Sequence, residues 1–527
     1  MRTQIHHFVA EAANEHGSAP ALTFKDVTIT YAQLWREVGG FGAALQGLRL
    51  RRGDRVAVYL DKRIETVTAM FGASAAGGVF VPVNPLLRPR QVGYIMRNCD
   101  VRVLVTSPQR LTLLGEELDE CKSLENVVLV GHDFASAAVA PGGRYTVSCW
   151  PVATEGEPLP AADAIDADMA AILYTSGSTG RPKGVVLSHR NLIAGAESVS
   201  HYLGNNPDDV ILSVLPLSFD AGFSQLTTAF SVGAHVVLLN YLLPADVVRL
   251  CAQHRVTGLT CVPPLWVQIA AQDWPTEAAG HLRYFANTGG RMPKATLDRL
   301  RSLFWRAKPF LMYGLTEAFR STYLDPAEVD RRPHSIGKAI PNAEVLVVRP
   351  DGSPCGPGEQ GELVHRGALV AMGYWNDPEH TAERFRPAPA REPGLCTEEM
   401  AVWSGDEVIR DEEGFLYFVG RKDEMIKTSG YRLSPTEIEE VAYDTGLVCD
   451  AVALGVEDAD LGQHVVLVVS PMSGDTVDVD ALLTQMRKSL PLYMLPRTVD
   501  VRLEIPRSPN GKFDRSLLRK ELTHDAS

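Results

Sequence analysis

The sequence predicts an α/β fold, with a large N-terminal domain of helix-covered, mostly parallel sheets and a small C-terminal α+β lid. Three observations lead there. The chain has 527 residues, more than one ordinary core holds. Between residues 20 and 260, short β-branched runs alternate with helical patterns, the alternation that builds parallel sheets covered by helices. At Gly420-Arg421-Lys422-Asp423-Glu424-Met425 the pattern becomes a short charged linker, followed by small helices and strands. The predicted domains are therefore residues 1–420 and 421–527, the second within ordinary domain size.

Taken in order, Arg55–Leu60, Val79–Val83, Val101–Val105 and Val127–Val130 read as strands, and Tyr31–Leu45 and Arg63–Ala76 as helices between them. The apolar region Val67–Val83 is rich in Gly and Ala and ends at Pro82 and Pro85, so it reads as a packed helix and strand, not a membrane span. Residues 133–165 are Gly/Pro/Ala-rich with weak periodicity and read as a surface excursion. Met169–Leu173 and Phe310–Met312 are buried strands by composition. In the lid, Thr436–Asp444 and Asp480–Ser489 read as helices, and Ala451–Val456, His464–Ser470 and Val499–Leu503 as strands.

Composition narrows the function. A hydrophobic content of 45% with 22% charged residues is that of a soluble globular protein. The net charge of −13 argues against a nucleic-acid or anionic-membrane partner. Eight cysteines are scattered without a C-x-x-C pair, which suits a reducing compartment and offers no zinc site. Met1–Pro20 has no apolar run of signal-peptide length, so the expected location is cytoplasmic, without stable membrane insertion.

The stretch that carries chemistry is Tyr174-Thr175-Ser176-Gly177-Ser178-Thr179-Gly180-Arg181-Pro182-Lys183-Gly184, placed directly after a strand. Glycines permit unusual backbone conformations, and free N–H groups, hydroxyls and a mobile cation together hold phosphate oxygens. The alternative, an exposed Gly/Ser turn, does not account for so many hydroxyls with a lysine. A Walker A loop requires the lysine straight after its second glycine. Here Lys183 follows Arg181-Pro182, so a P-loop kinase or ATPase is the disfavoured alternative.

This stretch resembles the phosphate-binding signature of the adenylate-forming, AMP-binding superfamily, which includes acyl-CoA synthetases, nonribosomal peptide adenylation domains and luciferases. The likeness runs from near Thr23 to Arg515. It implies an AMP-forming acid–thiol ligase. ATP and a carboxylate give acyl-AMP and pyrophosphate with Mg²⁺, and a pantetheine thiol, of CoA or of a carrier protein, then takes the acyl group. The resemblance implies that Thr175, Ser176, Gly177, Ser178, Thr179, Gly180 and Lys183 hold phosphates.

Further motifs extend the likeness. Leu215–Gly222 resembles one wall of the carboxylate pocket, with Phe219 as a gating aromatic. Asp220 matches the aspartate with which peptide-synthetase adenylation domains hold a substrate amine, and a carboxylate in an apolar wall is costly without a cation. The alternative is that Asp220 caps a helix starting near Gly222, leaving an ordinary acyl-CoA synthetase for a short or medium acid without an amine. Gly289-Gly290 resembles the adenine platform, with Arg291 reaching substrate or phosphate, or standing solvated at the rim. In Tyr313-Gly314-Leu315-Thr316-Glu317 the family's pattern places Tyr313 and Gly314 at adenine, Thr316 at the α-phosphate and Glu317 on the metal.

Asp406 in Ser404-Gly405-Asp406 matches the acceptor of both ribose hydroxyls, and Arg421 is expected at the nucleotide. Gly358–Leu363 and Gly373-Tyr374-Trp375-Asn376 match turn and strand patterns and read as structural. Asp423 matches the hinge, and Gly430-Tyr431-Arg432 the loop that enters for the thiol step. In Pro506–Arg515, Pro509-Asn510-Gly511 signals a tight turn presenting Lys512, the place of the family's catalytic lysine. Met312–Arg320, Ser335–Lys338 and Gly367–Asp377 also resemble the AMP-forming ligases associated with bacterial exosortase systems.

Overall fold

In a computed structural model of the chain, the described residues are 1–131, 144–150, 163–175, 182–290, 292, 294–389, 394–421, 425–472, 476–506 and 513–524. The expected strands and helices form with small shifts at their ends. Arg55–Tyr59, Val79–Pro82, Val101–Thr106 and Asn126–Leu129 are strands, and Tyr31–Gly47 and Ile64–Ala75 are the intervening helices. The longer helix starts at a capping box, Thr30 accepting from the Gln33 N–H while the Gln33 side chain accepts from the Thr30 N–H.

Two large sheets take their strands from residues 20–339 and from Gly373–Tyr374. One is eight-stranded, running from Gly373–Tyr374 through Lys183–Ser188 and Met169–Thr175 to Thr146–Cys149 at the far edge. From Met169–Thr175 outward its strands are parallel, and Lys183–Ser188 folds back antiparallel on Met169–Thr175. The other is nine-stranded, with parallel pairing from Pro20–Phe24 to Lys308–Tyr313 and antiparallel strands outside. A third sheet, over Ala343–Arg421, is antiparallel throughout, which "mostly parallel" does not capture. The C-terminal sheet, from Ile426 to Val501, is antiparallel except for Thr498–Val501.

One continuous core joins residues of both large sheets (Val56 and Phe80; Val236 and Phe310) to Phe41, Phe71, Leu192 and Phe223 from four helices, which places those helices between the sheets. The region Val67–Val83 is that buried helix and strand; among the described residues no helix is long and apolar enough to cross a membrane. The expectation of a surface excursion over 133–165 needs correction at Thr146–Cys149, while residues 133–143 and 151–162 lie outside the described residues. Thr146–Cys149 pairs with Asn126–Leu129 as an edge strand, because a short parallel edge needs little apolar alternation to form.

The nine-stranded sheet also fixes where a ligand goes. Val210–Ser213 lies between His235–Leu238 on one side and Gly258–Cys261 on the other, so chain order reverses there. In open α/β sheets the crevice beyond the C-terminal strand ends at such a switch point is the ligand position. Ser213 runs directly into Leu215–Gly222.

Three histidines are buried in this fold. His6 bonds Ser74 Oγ at 3.0 Å, His189 Nδ1 accepts from the Ile5 N–H, and His365 bonds Ser321 Oγ at 2.9 Å. Burial lowers their pKa values from 6.5 to about 3, about 4 and about 4 respectively. Unfolding lets each take up a proton at its ordinary pKa, so folded stability is intact above pH 6.5 and falls as pH drops toward 4, by on the order of 1–3 kcal/mol per histidine. Thermal unfolding between pH 7.5 and pH 4.5 therefore shows a falling midpoint below about pH 6.5. A flat profile contradicts these burials.

Candidate active site

Four neighbouring parallel strands end on one crevice and hand it their next residues. Leu215–Asp220 follows Val210–Ser213, Val262 follows Gly258–Cys261, Thr288-Gly289-Gly290 follows Tyr284–Asn287, and Gly314–Glu317 follows Lys308–Tyr313. The crevice opens into a cavity of about 1210 Å³ lined by Phe219, Asp220, Gly289, Tyr313, Thr316 and Arg320 among others. Sequence positions almost a hundred residues apart thus share one wall because parallel strands end in register.

Within it, Gly289 has φ +76°, and a Cβ there would stand 3.2 Å from Val262 Cγ1, so this backbone lies close against its neighbour. Asn287 Nδ2 donates to the Gly290 carbonyl at 2.8 Å and holds the turn. The Tyr313 hydroxyl donates to Asp406 Oδ2 at 2.5 Å. Asp406 is fully buried on Met400–Arg410, its N–H bonded to Ser404 Oγ, and Arg421 sits opposite it in the strand register. The structure therefore brings the expected adenine platform, Tyr313 and the expected ribose acceptor together, although they come from different sheets.

Thr175 and Lys183 are register partners at the ends of the Met169–Thr175 and Lys183–Ser188 strands, so the predicted strand-to-loop step is present. Ser176, Gly177, Ser178, Thr179, Gly180 and Arg181 lie outside the described residues, as do Arg291, Asp423 and Lys512. The Lys183 ammonium stands 5.4 Å over the Tyr374 ring, and burial lowers its pKa against the opposing charge of Asp377.

Tyr374 is one residue that sequence reasoning missed. It belongs to a two-residue strand paired with Lys183–Ser188, and its hydroxyl donates to Glu317 Oε1 at 2.6 Å. The Glu317 carbonyl accepts from the Ala371 N–H at 2.9 Å. One buried tyrosine thus touches both the expected metal carboxylate and the expected phosphate lysine. The only trace in the sequence is the Gly373-Tyr374-Trp375-Asn376 run, which reads as structural.

At the other end of the cavity, Asp220 is the first residue of the Asp220–Phe230 helix. Phe219 occupies the N-cap position without a side-chain bond, and Asp220 is instead an acidic residue of the first turn whose carboxylate accepts from the Ala221 N–H. Burial raises the Asp220 pKa, opposed by the charge of Arg320. Arg320 Nη1 lies 3.7 Å from Asp220 Oδ2 and donates to Thr288 Oγ1 at 3.1 Å.

The lid covers this end. Its Ile426–Thr428 and Tyr431–Leu433 strands form a hairpin with Gly430 at φ +81°, where a Cβ would meet Val262 Cγ2 at 2.8 Å. Tyr431 stands edge-on to Phe219 at 5.1 Å and stacks on Tyr493 at 3.8 Å. Gln91 Nε2 donates to Glu437 Oε1 at 2.7 Å across the same boundary.

As to the metal, Glu317 supplies one hard carboxylate oxygen pair beside Lys183, and the described residues contain no cluster of three or more His, Cys, Asp or Glu that could hold an ion. One carboxylate plus phosphate oxygens is the donor set Mg²⁺ ordinarily takes, so these residues fit it.

Comparison with known proteins agrees with this geometry. The profile of the family described as AMP-binding enzyme matches residues 9–375, and that of the AMP-binding enzyme C-terminal domain matches residues 437–512. A long-chain-fatty-acid–CoA ligase of Salmonella typhimurium is 29% identical over 98% of this chain and 93% of its own length. A linear gramicidin synthase of Brevibacillus parabrevis is 28% identical over 98% of this chain, which spans 6% of that protein. Among solved structures, the amide bond synthetase McbA from Marinactinospora thermotolerans superposes with a TM-score of 0.85 at 24% identity, over 98% of this chain and 99% of that one. With both profiles matched over most of its length, the chain belongs to the AMP-binding enzyme family.

Proposed function

We propose that the protein activates a small carboxylic acid with ATP as acyl-AMP, releases pyrophosphate, and passes the acyl group to a pantetheine thiol of CoA or a carrier protein. The observation that carries this reading is the convergence of Tyr313, Thr316 and the Gly289–Gly290 turn on one cavity, with Asp406 bonded to Tyr313 and with Lys183 and Glu317 brought together against Tyr374. A nucleoside needs a flat apolar slot and a ribose acceptor; its phosphates need hydroxyls and a cation.

In this reading Tyr313 and Gly289–Gly290 take adenine, and Asp406 accepts from the ribose hydroxyls with Arg421 beside it. Thr316 and Lys512 contact the α-phosphate, while Thr175–Gly180 and Lys183 hold the β,γ-phosphates. Arg291 stands toward the phosphates at the rim. The substrate carboxylate oxygen bonds to the α-phosphorus, and the bond from that phosphorus to the β-bridging oxygen breaks, releasing pyrophosphate. The thiol sulfur then bonds to the acyl carbon, the carbon–oxygen bond to AMP breaks, and the thiol proton leaves to solvent. Glu317 would hold Mg²⁺, which neutralises charge on the departing pyrophosphate. The protein contributes in-line placement and charge stabilisation, not a nucleophile of its own.

The two steps divide between lid positions. A lid of residues 421–527 rotating near Asp423 presents Lys512 for the first step and the Gly430 loop, already against Val262, for the second. Lys512→Ala is expected to abolish adenylate formation, losing about 3–4 kcal/mol of transition-state stabilisation, yet convert supplied acyl-AMP to thioester. Asp423→Pro is expected to do the reverse. Assaying both half-reactions separately checks this, and loss of the same half-reaction by both variants contradicts it.

Tyr374 yields a second expectation. Tyr374→Phe frees the Glu317 carboxylate, so the Mg²⁺ concentration for half-maximal pyrophosphate exchange rises about tenfold, as for other residues that orient a metal ligand. Calorimetric Mg²⁺ titration of the ATP-bound variant shows the same weakening, while thermal stability changes by only about 1 kcal/mol. Unchanged Mg²⁺ dependence makes Tyr374 a packing residue only.

A further inference from the structure

Arg320 is 3% exposed at the wall of the substrate cavity, a setting where a charge persists only when its donors are met. A guanidinium has five N–H donors. The bond to Thr288 Oγ1 uses one, Nε is buried with no partner among the described residues, and Asp220 stays at 3.7 Å, beyond a hydrogen bond. Asp220 in turn is largely buried in the same wall, with Arg432 of the lid hairpin and Glu317 as its other charged neighbours. Ser218 Oγ and Asn287 Oδ1 line the cavity, also buried and unpartnered among the described residues. The Asp220 carboxylate accepts from the Ala221 N–H, and the Arg320–Asp220 pair is close enough to attract but too far apart for a hydrogen bond of its own.

The backbone is strained to produce this placement. Phe319, immediately before Arg320, has φ +53° and ψ −49°, a conformation that a bulky side chain resists. Its ring is fully buried against the His189–Leu203 helix at Gly195, where even a Cβ would come within 2.4 Å of Cδ1. The Ser321 N–H then returns to the Tyr313 carbonyl at 3.1 Å. Packing therefore holds a reversal that turns Arg320 back toward the cavity. At 3.7 Å the Arg320–Asp220 contact is not the bidentate one that arginine–carboxylate pairs frequently make.

We propose that Asp220 and Arg320 together form a subsite for an acidic amino acid: an acid whose ammonium meets Asp220 and whose second carboxylate meets Arg320, while its other carboxylate is adenylated. This rests on the carboxylate-activating reading and names its substrate class. A plain acid leaves both charges under-bonded, and an amino acid with one carboxyl leaves Arg320 without an anion. Only a substrate carrying both groups completes the square of alternating charges, its ammonium and second carboxylate adding no net charge to the buried site.

The test is ATP–pyrophosphate exchange by the full-length enzyme with aspartate, glutamate and β-glutamate, their deaminated analogues succinate and glutarate, and their one-carboxyl analogues alanine, β-alanine, 2-aminobutyrate, 3-aminobutyrate and 4-aminobutyrate. At least one acidic amino acid is expected to exceed both of its analogues by about a hundredfold or more in kcat/KM, as for a site built to bond the missing group. Arg320→Met is expected to bring the one-carboxyl analogue to within about tenfold while still rejecting the deaminated one. Asp220→Asn is expected to relax the opposite discrimination. Exchange supported by a plain or one-carboxyl acid in preference to all acidic amino acids overturns the subsite and leaves adenylation standing. No exchange with any acid, including a panel of aromatic and fatty acids, overturns both. The wild-type ranking decides the matter even where a variant fails to fold.

Discussion

The Lys62 ammonium joins the two large sheets where the site is built. It follows the Arg55–Tyr59 strand of one sheet and donates to the Ser213 and Val214 carbonyls of the other, at 2.7 and 2.6 Å. Its own backbone exchanges two bonds with the Asn240 side chain, each 2.8 Å. Burial pushes the Lys62 pKa well down, and the Ser213 and Val214 carbonyls at a strand end accept from its N–H groups. The consequence is geometric. The chain from Ser213 to Asp220 is tied to the sheet that also carries the Met169–Thr175 and Lys183–Ser188 hairpin. The proposed substrate wall and the proposed phosphate hairpin therefore keep one relative position, as the in-line attack of the proposed reaction requires.

That tie sets a fixed frame, and the third sheet and the lid complete it from outside. Asp406 reaches Tyr313 from an antiparallel sheet formed late in the chain, and Tyr374 reaches Glu317 from a two-residue strand added to the edge of the first. Both contacts join segments more than fifty residues apart in sequence. Short hydrogen bonds between buried or half-buried groups are worth making here because each fixes a group that would otherwise sample several rotamers before ligand arrives.

Much of this was legible in the sequence, and the reasons differ by element. Val101–Thr106 and Asn126–Leu129 announce themselves because a strand buried on both faces must be almost wholly apolar. Tyr313–Glu317 and Ser404–Asp406 are legible through their resemblance to the family's motifs, which a lone Thr-Glu or a turn aspartate would not convey. The edge strand Thr146–Cys149 was not, because it is partly exposed and carries no apolar run. Tyr374 was not, because a tyrosine after glycine reads as strand packing until its hydroxyl partner is seen. Arg320 was hidden for a third reason: its direction depends on the positive φ of Phe319, which tertiary packing against Gly195 imposes and no local pattern records.

The central claim is chemical: a carboxylate oxygen of the substrate attacks the α-phosphorus and departs with AMP when the thiol takes the acyl group. Supplying the substrate with ¹⁸O in its carboxylate and following AMP, pyrophosphate and thioester by mass spectrometry tests it directly. The account predicts one ¹⁸O in each AMP formed, with unlabelled pyrophosphate and AMP produced in equal amount to thioester. Unlabelled AMP, label in pyrophosphate or inorganic phosphate, or ADP as the nucleotide product would contradict it.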